Sequence, residues 1–330
     1  MLMTVMIHVS NVYIYGFSGI GKYEFLSAVI YNCISRVCVP LFFMISGMFL
    51  IKSQFDKKKY FKRIIKFSCV LAVWSIVYYL ADNGFSFKDA GVTFVNSLFN
   101  ADMTSKHLWF MYAMIGISIA LPFIRNMCAN LTRWQENLFI ALWAVLSGLD
   151  VIYVPLAQLV IKEEPRALYP IPIISAAYYL GYFVCGHILY QRYKDVKLSK
   201  NKTALLIAGY ILPTAISAAI TYFVSVGSNR LFTAMTWYRS IFIIAASFSV
   251  FILVITNADK FKSRLILKIS EYSFGIYLIH IIFLNIVKAH YSIIDHNAII
   301  TIPVLTVVIY LVSLLCCFVL AKIPLIKKVL

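Results

Sequence analysis

Charged residues are scarce in this sequence, making up 13% of its 330 residues, whereas an average soluble domain has about 25%. Acidic residues are the scarcest, with 13 Asp and Glu against 30 Lys and Arg and a net charge of +17. Apolar residues account for 62% of the chain, which excludes an ordinary soluble domain and leaves no room for a separate one. The composition therefore predicts an integral membrane protein.

The sequence also lacks the patterns of several site classes. Its seven cysteines include no CxxC pair, their number is odd, and six of them lie inside apolar runs, so neither a disulfide framework nor a metal site is indicated. The phosphate-binding motifs GxxxxGK[ST] and GxGxxG are absent. The excess of basic residues is better explained by membrane topology than by nucleic-acid binding. We therefore predict no nucleic-acid partner and no catalytic metal.

Long apolar runs bounded by charged residues predict an all-α fold, a polytopic membrane helix bundle. A helix that spans a bilayer needs roughly 20 apolar residues, so the apolar content suffices for about ten helices. We expect a single domain over residues 1–330. The first helix is too short to cross a membrane, and we expect it to be the outer part of a helix whose beginning is missing. The predicted helices are 1–14, 27–50, 65–81, 108–123, 137–155, 170–190, 203–225, 237–256, 272–288 and 299–320.

The basic residues are distributed on one side of the predicted bundle. Of the 30, 21 lie in the connections after the second, fourth, sixth and eighth helices and at the C-terminal end. By the positive-inside rule both termini are cytoplasmic, and the odd-numbered connections face outwards.

An ionisable group in hydrocarbon is costly unless it faces a partner or a water-filled cavity, so such residues are site candidates. They gather in the outer half and the centre of the bundle: His8, Arg36, His107 with Trp109 at the outer boundary, Arg239 and His280.

The second predicted helix carries a stripe of unusual residues. Arg36, Pro40, Phe43 and Gly47 recur at intervals of four, three and four, which places them on one helix face. An arginine, a proline and a glycine on one face predict a cavity wall, with Arg36 contacting an anion or substrate. The alternative for Pro40 and Gly47 is that they only permit close helix packing.

The ninth predicted helix places Ser273, Tyr277 and His280 on one face, at spacings of four and three. This face either relays hydrogen bonds at a site or forms a structural polar seam between helices. His8 has the same two interpretations: a buried structural histidine, or a general base that takes a proton from an acceptor hydroxyl near neutral pH.

The segment Lys52–Lys66 holds seven Lys and Arg residues. Topology and attraction to anionic lipid explain most of this charge. The functional alternative is a clamp for the phosphates of a cytosolic nucleotide-containing donor, for which Arg63 and Lys66, near the start of the third predicted helix, are the preferred residues.

Five segments together resemble the acyltransferase-3 family of bacterial membrane O-acetyltransferases, in particular its branch of surface-polysaccharide acetyltransferases and poly-N-acetylglucosamine export proteins. They follow one another in the expected order over nearly the whole chain. They are VMIHVSN around His8, SRVCVPLFFMISG from Ser35, HLWFMYAMIGISIALP from His107, YYLGYFVCG from Tyr178 and SEYSFGIYLIH from Ser270.

The resemblance implies a ten-helix bundle in the bacterial cytoplasmic membrane that passes an acetyl group from cytosolic acetyl-CoA to a glycan hydroxyl at the outer side. His8 is then the catalytic histidine of the first helix. The family pattern also has an arginine about eleven residues ahead of this histidine, at a position before Met1. Either the start codon lies further upstream or this copy has lost part of its site, and the short first helix favours the upstream start. Arg36 or His280 would stabilise the developing oxyanion. We expect His107, Trp109, Tyr277 and Arg239 to bind the glycan or lipid-linked sugar, and Arg63 and Lys66 the coenzyme.

The alternative function is a polysaccharide exporter or flippase, in which Arg36 and His280 bind the glycan and acetyl-CoA has no role. An ion-coupled pump is disfavoured, because none of Asp82, Asp150 and Glu271 lies clearly at mid-membrane.

Overall fold

The protein is a bundle of α-helices, seen in a computed structural model that describes residues 1–82, 91, 105–161, 172–261, 263–324 and 329. No β-strand occurs in these described ranges. The helices, numbered along the chain, are α1 (Leu2–Tyr15), α2 (Lys22–Ser35), α3 (Cys38–Leu50), α4 (Lys57–Asp82), α5 (Trp109–Ala129), α6 (Arg133–Ile161), α7 (Pro172–Tyr193), α8 (Lys200–Ser228), α9 (Ile241–Thr256), α10 (Arg264–Glu271), α11 (Ser273–His290) and α12 (Ala298–Leu320).

The predicted all-α polytopic membrane bundle is confirmed. Each of the ten predicted helices coincides with a helix or a pair of helices of the structure. In the described part of the chain, seven helical stretches are long and apolar enough to cross a membrane, and α1 is a shorter apolar helix. Two of the seven are composite stretches, Lys22–Leu50 and Ala234–Thr256.

The prediction of one continuous second helix over residues 27–50 is wrong. The helix begins five residues earlier, at Lys22, and it is interrupted at Arg36 and Val37, which separate α2 from α3. The cause lies in Pro40, which has no backbone N–H to donate to the carbonyl of Arg36, four residues before it, and whose ring crowds that carbonyl. The helix therefore breaks at the residue that carries the guanidinium.

Several helices begin earlier than their apolar runs because polar residues cap them. The Asp56 carboxylate accepts the backbone N–H groups of Lys58 at 2.8 Å and Lys59 at 3.2 Å, so α4 begins at Lys57 rather than at residue 65. The predicted connection Lys52–Lys66 is thus helical from Lys57 onwards. At the start of α8, Ser199 likewise accepts the N–H of Lys202.

Helices α3 and α7 cross at two glycines. A Cβ atom on Gly47 would overlap the backbone carbonyl of Phe183, and one on Gly186 would overlap the backbone of Met44. The two backbones can approach this closely only because both positions lack a side chain. The packing interpretation of Gly47 is therefore confirmed.

The bundle has two ends that differ in charge. The end at which α3, α5 and α7 finish and α4, α6 and α8 begin is called the basic end here. There the Arg125 guanidinium donates to the Leu50 carbonyl at 3.0 Å, and Arg192 donates to the Glu136 carboxylate at 2.6 Å, which ties α7 to α6. At the opposite end, the Tyr13 hydroxyl donates to the Ile293 carbonyl at 2.6 Å and so holds α1 against the α11–α12 connection.

In the described part of the chain, the helix α10 is not predicted by the apolar runs. The short helix α10 (Arg264–Glu271) precedes α11 at the basic end, and its apolar residues Leu265, Ile266 and Leu267 are exposed. Its apolar segment is short and interrupted by Lys268, which is why reading for membrane-length apolar runs missed it.

Candidate active site

A cavity of about 1150 Å³ runs through the bundle along α1 and α11. Ser46 and Ser273 line it near the basic end, and Tyr15 and Lys288 line it near the opposite end. Ser273 and Lys288 are separated by about 22 Å along α11, at 1.5 Å per residue. The cavity therefore extends over most of the length of the bundle.

Three imidazole rings from three separate elements meet at this cavity. His8 lies in the middle of α1, His107 in the short helical turn before α5, and His280 in α11. The ring centroid of His8 is 5.1 Å from that of His280 and 6.3 Å from that of His107, and the rings of His107 and His280 are 5.5 Å apart. We call these residues the histidine cluster. His8 and His107 line the cavity, whereas His280 lies behind them and is fully buried.

The backbone and ring of His107 are held in place by neighbouring groups. Its carbonyl accepts the Tyr277 hydroxyl at 2.6 Å, and its Nδ1 is 2.7 Å from the Ser105 hydroxyl. The Tyr78 ring packs edge-on against its ring, with centroids 5.0 Å apart. Tyr78 in turn donates to the Leu278 carbonyl at 2.7 Å, so α4 and α11 together fix the position of this imidazole.

The tautomer of His280 follows from its partner. Nδ1 lies 3.0 Å from the carbonyl of Ile276, and a carbonyl can only accept, so Nδ1 carries the proton. In the neutral ring Nε2 is then a lone-pair acceptor, and it has no hydrogen-bond partner among the residues that the structure describes. A neutral His280 cannot donate to an oxyanion through Nε2. The geometry favours a role in positioning or accepting a proton.

Arg36 reaches the cavity from the break between α2 and α3. Its Nε donates to the Asn32 side-chain oxygen at 2.7 Å, and its guanidinium lies over the Tyr238 ring, 5.4 Å from the centroid. Asn32 is fully buried and donates to Ser10 and Asn11, each at 2.9 Å. The guanidinium is thus anchored through Nε to α1.

The cavity wall on α3 differs from the predicted stripe. Of the four predicted residues only Arg36 lines the cavity, and the lining residues that follow it are Val39, Phe42 and Ser46. Phe43 is instead fully buried and packs on Tyr179. Because the helix is interrupted at Arg36 and Val37, the spacing counted from Arg36 does not identify the face of α3 that lines the cavity.

Aromatic rings cover the wall near Arg36. The rings of Trp109 and Tyr238, both at the cavity, lie 6.0 Å apart, and Trp109 stacks on Tyr179 with centroids 4.6 Å apart. Phe110 extends this wall towards Tyr277, at 5.5 Å. Such a surface can pack against the apolar face of a ring while Arg36 supplies a positive charge.

The predicted site residues fall into two groups. Six line the cavity: His8, Arg36, His107, Trp109, Ser273 and Tyr277. The others do not: His280 is buried behind the histidine cluster, Arg239 is buried and lies over the Trp237 ring at 4.2 Å, Arg63 is half-buried on α4, and Lys66 is exposed. His107 packs against the middle of α11, which is deeper than the outer boundary expected from the hydropathy.

Three residues of interest were not predicted. Ser105 lines the cavity and contacts His107, and Tyr238 covers Arg36. Arg125 lies close enough to Arg63 for their charges to interact. The signal for Ser105 was its spacing of two residues from His107, whereas the approach of Tyr238 and Arg125 depends on helix packing alone.

The described residues include no group of three or more His, Cys, Asp or Glu that could hold a metal ion. The imidazoles of the histidine cluster can donate, accept or transfer a proton near neutral pH.

Comparison with known proteins agrees with this chemistry. The family described as an acyltransferase domain matches residues 1–322. Comparisons with curated proteins and with solved structures give no significant match. Since the family match covers nearly the whole chain, and the structure is a polytopic membrane bundle, the chain belongs to the acyltransferase-3 family of membrane acyltransferases.

Proposed function

We propose that this acyltransferase moves an acetyl group from cytosolic acetyl-CoA to a hydroxyl of a cell-surface or lipid-linked glycan, in the bacterial cytoplasmic membrane. The observation that carries the proposal is the cavity, which reaches both ends of the bundle and has His8 on its wall between them. A donor entering at the basic end and an acceptor entering at the opposite end can meet at this histidine. The positive-inside rule supports the orientation with both termini in the cytoplasm.

His8 is the proposed general base. An alcohol attacks a thioester efficiently only when a base removes its proton, and a neutral imidazole does this near neutral pH. His8 is the only member of the histidine cluster for which the described contacts include no hydrogen bond at either ring nitrogen. Its ring is held instead by packing against His107 and His280.

Arg36 and the aromatic wall form the proposed acceptor side. Asn32 holds the Arg36 guanidinium through Nε and the Tyr238 side chain also bonds it, so the N–H groups that remain can serve a developing oxyanion or a sugar oxygen. Trp109 and Tyr238 provide flat faces on which a sugar ring can pack. Arg239 follows Tyr238 directly in the chain and lies over the Trp237 ring.

The basic end is the proposed donor side. Ser46 and Ser273 offer hydroxyls beside Phe67 and Phe274, a mixed lining that suits a slender chain containing amides. Arg63 and Arg125 lie near one another at this end, and two neighbouring guanidiniums attract phosphate groups. Lys66 is exposed one residue before the lining residue Phe67, and we assign these cations to the phosphates of coenzyme A.

A radiolabel transfer assay tests the proposal. Membranes containing the protein receive labelled acetyl-CoA and a cell-surface glycan, and acetylated glycan is measured. His8→Ala is expected to lower the rate by about 10²–10⁴-fold, the usual cost of losing a general base. His290→Ala is the matched control, since His290 is exposed at the end of α11, away from the cavity lining. Normal transfer by His8→Ala would contradict the assignment of the base.

The exporter or flippase function is the second candidate, because the same cavity reaches both ends of the bundle. The acidic residues that line the cavity include Asp82 and Glu271, and each lies at the end of a helix rather than in its middle. An exporter would move glycan outwards in the absence of acetyl-CoA, whereas the proposed enzyme would not. Protein-dependent glycan release without any acetylated product would favour the exporter.

A further inference from the structure

The pair Ser105 and His107 is not used by the proposed function, although both residues line the cavity. Ser105 Oγ is 2.7 Å from His107 Nδ1, within the range expected of a nucleophile and its base. Ser105 retains 9% of its surface exposure and His107 retains 4%, so the pair is sheltered from bulk water. The helical turn that they share is closed by the hydrogen bond from the Leu108 N–H to the Ser105 carbonyl, at 2.9 Å.

A structural histidine would be expected to use both ring nitrogens, because a buried polar atom without a partner destabilises the fold. His107 Nε2 is buried and makes no hydrogen bond of good geometry to a described residue, although the backbone of Leu278 lies close to this ring, and His280 Nε2 has no partner in the described part of the chain. Since His280 carries its proton on Nδ1, its Nε2 is an acceptor. A proton on His107 Nε2 would complement this neighbouring lone pair, and His107 Nδ1 would then accept the hydrogen bond of the Ser105 hydroxyl.

We infer that Ser105 is the nucleophile of a two-step acyl transfer and that His107 is its base. The inference rests on the proposed function and specifies how that reaction proceeds. Ser105 Oγ attacks the thioester carbonyl while its proton passes to His107 Nδ1. The bond between Oγ and the acyl carbon forms, the carbon–sulfur bond breaks, and the sulfur takes the proton from His107 and leaves as the coenzyme thiol.

The second step returns the serine to its free form. His8 removes the proton from the acceptor hydroxyl, whose oxygen attacks the acyl-serine carbonyl. The new ester bond forms, the bond between the acyl carbon and Oγ breaks, and Oγ receives the proton that His8 took from the acceptor. The rings of His8 and His107 are 6.3 Å apart, so both bases are beside one acyl group.

This sequence of steps suits the shape of the cavity. Donor and acceptor would enter from opposite ends, and the coenzyme can leave towards the basic end before the acceptor is in place. The acyl group is retained by a covalent bond near the middle of the bundle during the exchange. His107 is then the base of the first step and His8 the base of the second.

The test uses the full chain, purified in detergent and mixed with labelled acetyl-CoA without an acceptor. We expect up to one label per chain, stable to acid denaturation, and mass spectrometry should find it on Ser105. His8→Ala should retain this label even when glycan is present, because only the second step is blocked. Ser105→Ala should form no labelled chain and should lower glycan acetylation by about 10³-fold or more.

Ser118→Ala is the matched control. Ser118 is buried in α5, its hydroxyl is unpaired, and it is not among the residues that line the cavity, so label and transfer should be unchanged. Ser105→Cys provides a second variant, in which a thioester that is cleaved by neutral hydroxylamine should replace the oxygen ester. Gel filtration confirms that each variant is folded.

The outcomes separate the inference from the proposed function. If Ser105→Ala acetylates glycan at the normal rate, the acyl-serine is wrong and the proposed function stands. If the label is found on His8, the acyl-serine and the general-base role of His8 are both wrong, and only the transfer of acetyl to glycan stands. If the unaltered protein acetylates no glycan but still forms acyl-Ser105, the glycan acceptor is wrong and the inference stands. If no label reaches either the chain or the glycan, both are wrong.

Discussion

Pro40 lies four residues after Arg36, and it removes the hydrogen bond that would otherwise close the helix over the Arg36 carbonyl. The chain therefore leaves the α2 helix where the guanidinium turns towards Asn32 and Tyr238. Pro40 and Arg36 are thus not two members of one continuous helix face, because Pro40 causes the helix to break at Arg36. The break sets the direction from which Arg36 reaches the cavity.

Pro40→Ala should let α2 and α3 join into one helix and displace Arg36 from its contacts. A misplacement of about 1 Å can cost about 10²-fold in rate, and we expect a fall in glycan acetylation of this order. Thermal unfolding should change little or shift upwards, because the helix gains a hydrogen bond. Pro303→Ala in α12 is the control, since Pro303 is not among the cavity-lining residues. Equal activity of the two variants would contradict the role of the break.

Gly47→Ala should destabilise the bundle. The added methyl would meet the Phe183 carbonyl, and the helices α3 and α7 would have to separate. Forcing atoms into a packed interior typically costs about 1–3 kcal/mol, which should appear as a lower thermal midpoint in detergent. Gly116→Ala in α5 is the control, because a Cβ there meets no atom within 4 Å. A midpoint for Gly47→Ala equal to that of the control would show that the crossing can relax.

The helices were predictable from the sequence because hydropathy is a local property that each segment carries by itself. The apolar run does not indicate the break at Arg36, because a proline such as Pro40 is tolerated in many membrane helices. The early start of α4 at Lys57 was missed because charged residues were assigned to a connection. Its signal was Asp56, whose side chain accepts two backbone N–H groups.

The site was only partly predictable, for a different reason. His8, Arg36 and His280 could be selected singly, because each is polar in an apolar run. That His107 would join His8 and His280 depends on the packing of α4 and α5 against α11, which no local pattern encodes. The contact of Ser105 with His107 also needs the short helical turn that begins α5.

Replacing Arg63 and Lys66 together by Gln should raise the apparent Michaelis constant for acetyl-CoA while kcat changes little. The reason is that these cations would contact the phosphates of the donor and not the reacting carbonyl. Replacing Lys58 and Lys59 by Gln removes the same charge from exposed positions of the same helix and is the control. An unchanged constant in the first variant would leave only the topological role for these residues.

Reporter fusions should reveal the orientation in the membrane. Fusions after residues 60, 198 and 262 should report the cytoplasm, and fusions after residues 90, 164 and 293 should report the outside. Reversal at two or more of these sites would invert the proposed donor and acceptor sides.

His280 should act on the reaction through His8 and His107 rather than by touching a substrate. It is fully buried, it is not among the cavity-lining residues, and its ring lies 5.1 Å from that of His8. His280→Phe keeps an aromatic ring but removes the acceptor at Nε2 and the bond to Ile276. We expect kcat to fall by about 10- to 100-fold, as for a misplaced catalytic group, with little change in the Michaelis constant for acetyl-CoA.

His280→Asn separates positioning from packing. The Asn amide can still donate to the Ile276 carbonyl and can present an oxygen, so it should recover part of kcat although it fills less of the space. A residue with a purely structural role would give the opposite order, because Phe fills the cavity of the lost ring better than Asn. Both variants are compared per folded chain, with the thermal midpoint measured in parallel. If kcat follows the midpoint and not the hydrogen-bonding capacity, His280 serves the fold alone.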